Sequence, residues 1–137
     1  MKFIGIIEMQ KSVVYLTVPG IAATSYGSNL KEAFKALQTT FYIIFRDEQK
    51  EFAQINCIES SKKSFILEIL NIEKMLPLIL DRIKSSSNKS FRELVDELGY
   101  KSTGSITSYF KNKNPSFSKA CQLLSSLGYE VTISPKS

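Results

Sequence analysis

The feature that most constrains the fold is the stretch from Ser90 to Gly128, in which three short apolar patterns are separated by polar turns. Ser90 with Glu93 has the capping-box pattern that begins a helix, and Gly99 suits a helix C-terminus because glycine readily adopts a left-handed backbone. Asn114-Pro115 ends the second pattern, since proline disfavours helical backbone in the residue before it. The stretch predicts three helices. Their apolar positions are Phe91, Leu94, Val95 and Leu98, then Ile106, Tyr109 and Phe110, then Phe117, Ala120, Cys121, Leu123, Leu124 and Leu127.

A helix, a glycine-containing turn and a second helix with facing apolar sides form the helix-turn-helix pattern. The stretch resembles the helix-turn-helix domains of repressors of the lambda Cro and repressor type. The matching residues are Leu94, Leu98 and Gly99 in the first helix and turn, and Ile106 in the second helix. The turn is longer than the commonest spacing, and Val95 stands where that family usually has alanine. The resemblance implies a DNA-binding domain, and the alternative is a plain helical bundle without a nucleic-acid role.

The second predicted helix has non-core positions that suit a DNA major groove, where its N-terminus would read base edges. It contains neither arginine nor glutamine, so a strong contact to guanine could come only from Lys111. Between Leu98 and Tyr129 the chain has four lysines and no acidic residue, which favours contact with phosphates. The predicted DNA-binding residues are Lys101, Ser102, Thr103, Ser105, Thr107, Ser108, Lys111, Asn112, Lys113 and Lys119.

Composition limits the chemistry that the chain can perform. Its net charge of +5 suits an anionic partner. Histidine is absent, which excludes Ser-His-Asp and Cys-His nucleophile sites and the usual zinc site with an imidazole ligand. The 13 acidic residues are scattered, and no phosphate-binding glycine loop is present. We therefore expect no enzyme activity, no catalytic or metal-binding residues and no cofactor.

The cellular location is predicted from cysteine usage and hydropathy. Cys57 and Cys121 lie far apart in the sequence, which favours buried free thiols in a reducing cytoplasm over a disulfide or a metal site. No stretch reaches the roughly 18 continuous apolar residues of a membrane span. The beginning of the chain, MKFIGIIEM, is too short and meets a charge too soon for a signal peptide. We expect a cytoplasmic protein that does not enter a membrane.

The first half of the chain alternates in the manner of β-strands around one amphipathic helix. Phe3 and Ile7 share one face of the first strand with Met9, whereas Ile4 and Ile6 occupy the other face. Because both faces are largely apolar, we expect a sheet covered by a helix on one side and by a partner, another subunit or the C-terminal bundle on the other. The predicted elements are strands at 3–9, 13–18 and 21–25, a helix from Asn29 to about residue 45, and a second hairpin of 52–58 with 64–70.

This half is similar to the antitoxins of HicA–HicB toxin–antitoxin pairs. VVYLTVPG followed by YGSNLKEAFKAL matches their strand, Pro/Gly turn, second strand and capped helix. The matching residues are Gly27, Leu30, Glu32 and Ala33, whereas Asn29 replaces the usual threonine. The Pro19-Gly20 turn is displaced from the family pattern, and the aspartate and glycine of its first hairpin are missing. The resemblance implies a small toxin as a partner and autorepression through DNA binding.

We predict an α+β protein of two small domains. Residues 1–70 form a sheet-and-helix domain for dimerisation or partner recognition, and residues 71–137 form a helical helix-turn-helix bundle that binds DNA. The bundle's first helix begins near Asn71, with Pro77 past its first turn, or near Leu76, with Pro77 at its first position. Residues 85–88 are its loop to the next helix. Tyr129, Val131 and Ile133 alternate with polar residues and predict a terminal strand, which needs a pairing partner.

The expected function is that of a homodimeric transcriptional regulator that binds double-stranded DNA, either an autorepressing antitoxin or a repressor of a phage or mobile element. The alternative is a protein inhibitor, an antitoxin or phage-encoded antagonist, that acts by protein–protein binding with the helical domain as scaffold.

Overall fold

The computed structural model describes residues 1–135, and in this range the chain is a mixed α+β protein with one five-stranded antiparallel sheet and four α-helices. The chain forms two compact units, Met1–Met75 and Leu76–Ser137. The last two residues of the predicted C-terminal domain, 136 and 137, lie outside the described residues.

The sheet of the first unit contains β1 (Lys2–Gln10), β2 (Val13–Val18), β3 (Ala23–Gly27), β4 (Ile55–Glu59) and β5 (Ser64–Ile69). The strand order is β3-β2-β1-β5-β4, and each neighbouring pair is antiparallel. Lys11 and Ser12 connect β1 to β2 with positive φ angles of 50° and 69°, as the two-residue hairpin turn that matches strand twist requires. The expected third strand begins two residues late because Pro19–Ile21 form a 3-10 turn.

Helix α1 (Leu30–Ile44) covers one face of this sheet and links the two edge strands, β3 and β4. The Asn29 side chain caps it by accepting a hydrogen bond of 2.9 Å from the Glu32 amide. A Cβ at Gly27 would lie 2.6 Å from the Ala33 nitrogen, so the close approach of β3 to α1 requires glycine. The buried residues on this side of the sheet and on the helix are Phe3, Ile7, Val14, Leu16, Val18, Ala33, Leu37, Phe41, Phe65 and Leu67.

The predicted alternation in the first hairpin is confirmed, except at one residue. Phe3 and Ile7 are buried, whereas Ile4 and Ile6 point to the open face of the sheet. Met9, expected beside Phe3 and Ile7, is instead exposed. It lies at the end of β1, where all of the last three residues, Glu8 to Gln10, are exposed.

A buried carboxylate explains why the fourth strand begins at Ile55 rather than at Phe52. The carboxylate of Asp47, only 2% exposed, accepts hydrogen bonds from the amides of Glu51, Phe52 and Ala53 at 2.8–3.0 Å. Those amides are therefore bound within the loop and do not pair in the sheet. The desolvation of Asp47 raises the pKa of its carboxyl, but the backbone hydrogen bonds outweigh this effect, and the net pKa is lowered.

The helices after the sheet are α2 (Ile72–Ser87), α3 (Phe91–Leu98) and α4 (Phe117–Ser126). Of the two starts considered for α2, the structure has the earlier one, with Pro77 inside the helix. Residues 85–87, expected in a loop, continue α2, and the chain turns at Asn88, whose φ is 61°. Helix α3 has the predicted capping box and ends at Gly99 with a φ of 78°.

Three further sequence-based expectations for the second unit are wrong. The segment around Ile106 is two 3-10 turns, Thr103–Ser105 and Thr107–Phe110, and not an α-helix. Phe117, expected in the core, is 67% exposed at the first position of α4. Tyr129 to Pro135 form no strand, because no other strand of the described chain pairs with them.

Low helix propensity explains the irregular segment. Residues 102–108 are five serines and threonines, one glycine and Ile106. Hydroxyl side chains compete for backbone hydrogen bonds, β-branched residues lose rotamers in a helix, and glycine costs about 1 kcal/mol relative to alanine. The apolar spacing of Ile106 and Phe110 still buries both residues. Apolar periodicity therefore predicted the burial of Ile106 and Phe110 correctly, whereas Tyr109 is only half-buried and the backbone is not the regular helix expected.

Candidate nucleic-acid interface

Helices α3 and α4 are joined by a polar clamp between their C-terminal turns. The Lys89 Nζ donates hydrogen bonds to both carboxylate oxygens of Glu97, at 2.8 and 3.0 Å, and to the backbone carbonyl of Ser126 at 2.5 Å. The Ser126 hydroxyl also donates to Glu97. These hydrogen bonds lower the pKa of the Glu97 carboxyl, with the bond from Lys89 contributing most. The clamp holds the two helices that flank the segment between them.

The segment between α3 and α4 is anchored by buried apolar side chains. Ile106 is fully buried and Phe110 is almost so. The Phe110 ring packs edge-on against Phe91 of α3 with 5.2 Å between centroids. On the same Phe91 ring lies the Lys84 Nζ of α2, 4.2 Å from the centroid. The 3-10 turns are thus fixed to α3, and their polar side chains are left on the outside.

The residues after the second 3-10 turn wind around one carbonyl oxygen. The backbone carbonyl of Ser108 accepts hydrogen bonds from the amides of Lys111, Asn112 and Lys113, at 3.2, 3.2 and 3.0 Å. All three side chains are exposed. A single backbone acceptor therefore orders a short loop that presents two lysines and an asparagine to solvent.

Two of the predicted lysines lie over tyrosine rings. The Lys113 Nζ is 5.3 Å from the centroid of Tyr109, and the Lys119 Nζ is 4.0 Å from the centroid of Tyr100. Such contacts contribute about 0.5–1 kcal/mol at exposed sites and restrict the orientation of the ammonium group. Because Tyr100 precedes Lys101 in the chain, the contact with Lys119 brings the start of α4 next to the end of the turn after α3.

The ten predicted DNA-binding residues divide by exposure. The side chains of one group are available to a large ligand, and those of the other are half-buried against the unit. The exposed residues are Lys101, Ser102, Ser105, Lys111, Asn112 and Lys113, and the half-buried residues are Thr103, Thr107, Ser108 and Lys119. The 3-10 backbone accounts for part of this division, because side chains three residues apart lie on the same side of a 3-10 turn. Thr107 therefore lies on the same side as the buried Phe110 and is half-buried.

Positive charge at this surface is not neutralised by any acidic side chain of the described residues. In residues 1–135, Lys101, Lys111, Lys113 and Lys119 form no ion pair. Two acids of α3 already form ion pairs with other residues, Glu97 with Lys89 and Asp96 with Arg92 at 3.5 Å. The second unit has nine basic and five acidic residues, whereas the first has nine and eight. The excess positive charge of the chain therefore lies mainly in the second unit.

Sequence reasoning missed the residues that support this surface. Tyr109 and Lys113 are four apart, a spacing that could have indicated their contact, although Tyr109 was assigned to the core. Tyr100 and Lys119 are distant in sequence, as are Lys89 and Ser126, so no local pattern signals either contact.

Within residues 1–135, no group of three or more histidine, cysteine or carboxylate side chains is placed to hold a metal ion. In the same part of the chain, no helix is both long and apolar enough to cross a membrane. Both cysteines are free thiols, and burial raises the pKa of Cys57 to about 11. Comparison with protein-family models and with curated proteins finds no match to this chain.

Proposed function

We propose that the chain is a sequence-specific DNA-binding transcriptional regulator that contacts duplex DNA through its second unit, in the manner of a helix-turn-helix protein. The observation that carries this proposal is a set of exposed lysines, Lys101, Lys111 and Lys113, that form no ion pair with the described part of the chain and lie in a stretch that contains no acidic residue. Lysines of this kind release counterions from the phosphate backbone when they bind, which supplies most of the affinity of such interfaces.

The residues that read base edges are the exposed polar side chains between these lysines. Ser102 and Ser105 lie on one side of the first 3-10 turn, with 3.5 Å between their hydroxyl oxygens, and Asn112 lies in the loop ordered by the Ser108 carbonyl. An asparagine amide can pair with adenine in the major groove, and serine accepts or donates to several bases. This set is smaller than the one a full recognition helix offers. We therefore expect moderate sequence preference on top of a strong phosphate term.

A regulator of this kind acts as a dimer on a two-fold site. One small module buries too little surface to select a sequence alone, and two modules contact half-sites about one helical turn apart. An autorepressing antitoxin or a phage or mobile-element repressor fits this description. In that role the chain binds the DNA upstream of its own gene and works in the cytoplasm.

A second candidate function is inhibition of another protein, such as a small toxin, with the helical unit as scaffold. It is favoured by the apolar residues on the open face of the sheet, Ile4, Ile6 and Ile58, which are exposed in the first unit. This candidate requires no contact with DNA, so the two are separated by one binding assay.

The assay titrates the full chain into labelled duplex DNA from its own upstream region at low and at moderate salt. Each phosphate contact contributes roughly 0.9 to the slope of log affinity against log salt, so a handful of contacts lowers affinity by orders of magnitude over this range. A duplex of scrambled sequence measures the non-specific term. Binding that is absent even at low salt would rule out the proposal and leave the inhibitor.

A further inference from the structure

The open face of the sheet carries a continuous row of isoleucines. The register pairs Ile58 with Ile66 across β4 and β5, and Ile66 with Ile4 across β5 and β1. Ile6 follows two residues after Ile4 on the same face of β1. Ile4 is 70% exposed, Ile58 58% and Ile6 40%. This isoleucine row (Ile58, Ile66, Ile4 and Ile6) has no charged residue within it, whereas exposed sheet surfaces usually carry such residues to prevent association.

Charged residues border the row in a nearly neutral arrangement. On one side, Lys2 of β1 lies directly across from Glu68 of β5. On the other side, Glu8 is adjacent to Tyr15, which in turn is opposite Tyr26 of β3, with 6.1 Å between the rings. Lys62 and Lys63, in the turn between β4 and β5, lie near Glu8 in the same shallow depression. The border of the row therefore has little net charge with which to attract a strongly charged partner.

The size of the face fits an interface between two copies. Five strands about 4.8 Å apart and six residues, or about 20 Å, long give a plane of roughly 500 Å². Side-chain relief and the bordering turns raise this toward the ~800 Å² per partner of a standard interface. Aligned sheets pack face to face about 10 Å apart with their inner side chains interleaved, which a row of isoleucines on both sides permits.

We propose that the open face of the sheet is the homodimer interface of this protein, with the isoleucine row of one copy packed on that of a second copy. A two-fold interface uses the same patch on both molecules, so the patch must be complementary to itself. An apolar row with balanced charges at its borders satisfies this requirement without any further partner. The inference concerns the first unit and does not rest on DNA binding.

The test compares two isoleucines that are matched in type, exposure and unit. Ile4 lies in the row, and Ile43 lies on α1, on the other side of the sheet; each is 70% exposed. The full chains of wild type, Ile4→Glu and Ile43→Glu are measured by sedimentation equilibrium without DNA. We expect the wild type and Ile43→Glu to be dimers with the same dissociation constant. Ile4→Glu buries two carboxylates in one interface and should raise that constant about a hundredfold or more.

A second variant excludes misfolding as the cause. Ile58→Ser removes one apolar side chain from the row without adding charge and should weaken the dimer less than Ile4→Glu, with unchanged circular dichroism. A wild-type chain that is monomeric at high micromolar concentration overturns the proposal, as does a dimer that Ile4→Glu and Ile43→Glu weaken equally. A monomer that forms a defined complex only with a different protein would overturn it too, in favour of the inhibitor function. A variant in which Lys101, Lys111 and Lys113 are replaced should still sediment as a dimer. Failure of the dimer interface and failure of DNA binding can therefore be distinguished.

Discussion

The two units of the molecule differ in how closely their backbone structure agrees with their sequence pattern. In the sheet unit, residues alternate with the period of a strand, side chains of the predicted type are buried on the predicted face, and α1 is capped by Asn29 as its sequence indicates. In the helical unit, α3 and α4 have comparable caps, but the segment between them forms 3-10 turns although its apolar spacing is helical. Regular structure thus follows where pattern and propensity agree. Where the apolar pattern and the helix propensity conflict, as between α3 and α4, Ile106 and Phe110 are still buried but the backbone does not form the expected α-helix.

The largest expected effect separates a core phenylalanine of the sheet unit from an exposed one of the helical unit. The Phe65 ring packs on Phe34 with 5.3 Å between centroids and fills the space beside Gly5, where even a Cβ would lie 2.1 Å from the ring. Phe65→Ala should lower the free energy of unfolding by about 3–5 kcal/mol. Phe117→Ala, at a residue that is 67% exposed, should change it by no more than about 0.5 kcal/mol.

Urea denaturation followed by circular dichroism measures both changes. Equal destabilisation by the two alanine substitutions would contradict the exposed placement of Phe117 and restore it to the core that its sequence pattern predicts.

A smaller effect is expected from the buried carboxylate of the sheet unit. Asp47→Asn loses the negative charge that three amides bind and should lower the melting temperature at neutral pH by several degrees. Because the pKa of Asp47 is lowered in the folded chain, its contribution is fully present above the unfolded value of about 3.9 and is lost as pH falls through the folded value. The difference between wild type and variant should therefore shrink only in acid, below about pH 4.

Glu97 provides the matched comparison in the helical unit. Its pKa is also lowered, chiefly by the hydrogen bond from Lys89, but its side chain is 44% exposed. Glu97→Gln should therefore lower the melting temperature less than Asp47→Asn does, since solvent screens an exposed pair. Thermal melts at neutral and acidic pH measure both variants, and a larger loss for Glu97→Gln would show that the clamp, and not the loop of the sheet unit, holds the more important carboxylate.

The smallest stability effect tests why the segment between α3 and α4 is irregular. Gly104 has no left-handed backbone, and its added Cβ would be 3.8 Å from the nearest atom, so Gly104→Ala should stabilise the unit by about 0.4–1 kcal/mol and raise its helical signal. Gly99→Ala is the control, since a φ of 78° penalises a Cβ by about 1–2 kcal/mol. Circular dichroism and denaturation check both, and destabilisation by Gly104→Ala would reject low propensity as the cause.

The extent to which sequence predicted the molecule follows from the range over which each signal acts. Strand alternation, the caps at Asn29 and Ser90 and the turn at Gly99 are local, and they were predicted nearly to the residue. The start of β4 was not, because it depends on Asp47 binding amides four to six residues later. The absence of acidic residues around the lysines of the candidate interface indicates their role from sequence alone. The contact of Lys119 with Tyr100 and the clamp formed by Lys89 join residues that are distant in the sequence, so no local pattern predicts them. The strand predicted after Gly128 finds no partner among residues 1–135, and alternation alone cannot supply one.

The most direct test of the proposed function removes the same number of positive charges from each of the two units. One variant replaces Lys101, Lys111 and Lys113 with glutamine, and the control replaces the exposed Lys31, Lys35 and Lys50 of the sheet unit with glutamine. Affinity for upstream duplex DNA is measured by fluorescence anisotropy over a series of salt concentrations. We predict that the first variant loses roughly three units of salt slope, about 0.9 per lysine, and most of its affinity, whereas the control retains both. Equal losses in the two variants would show that DNA responds only to net charge and would contradict a nucleic-acid interface in the second unit.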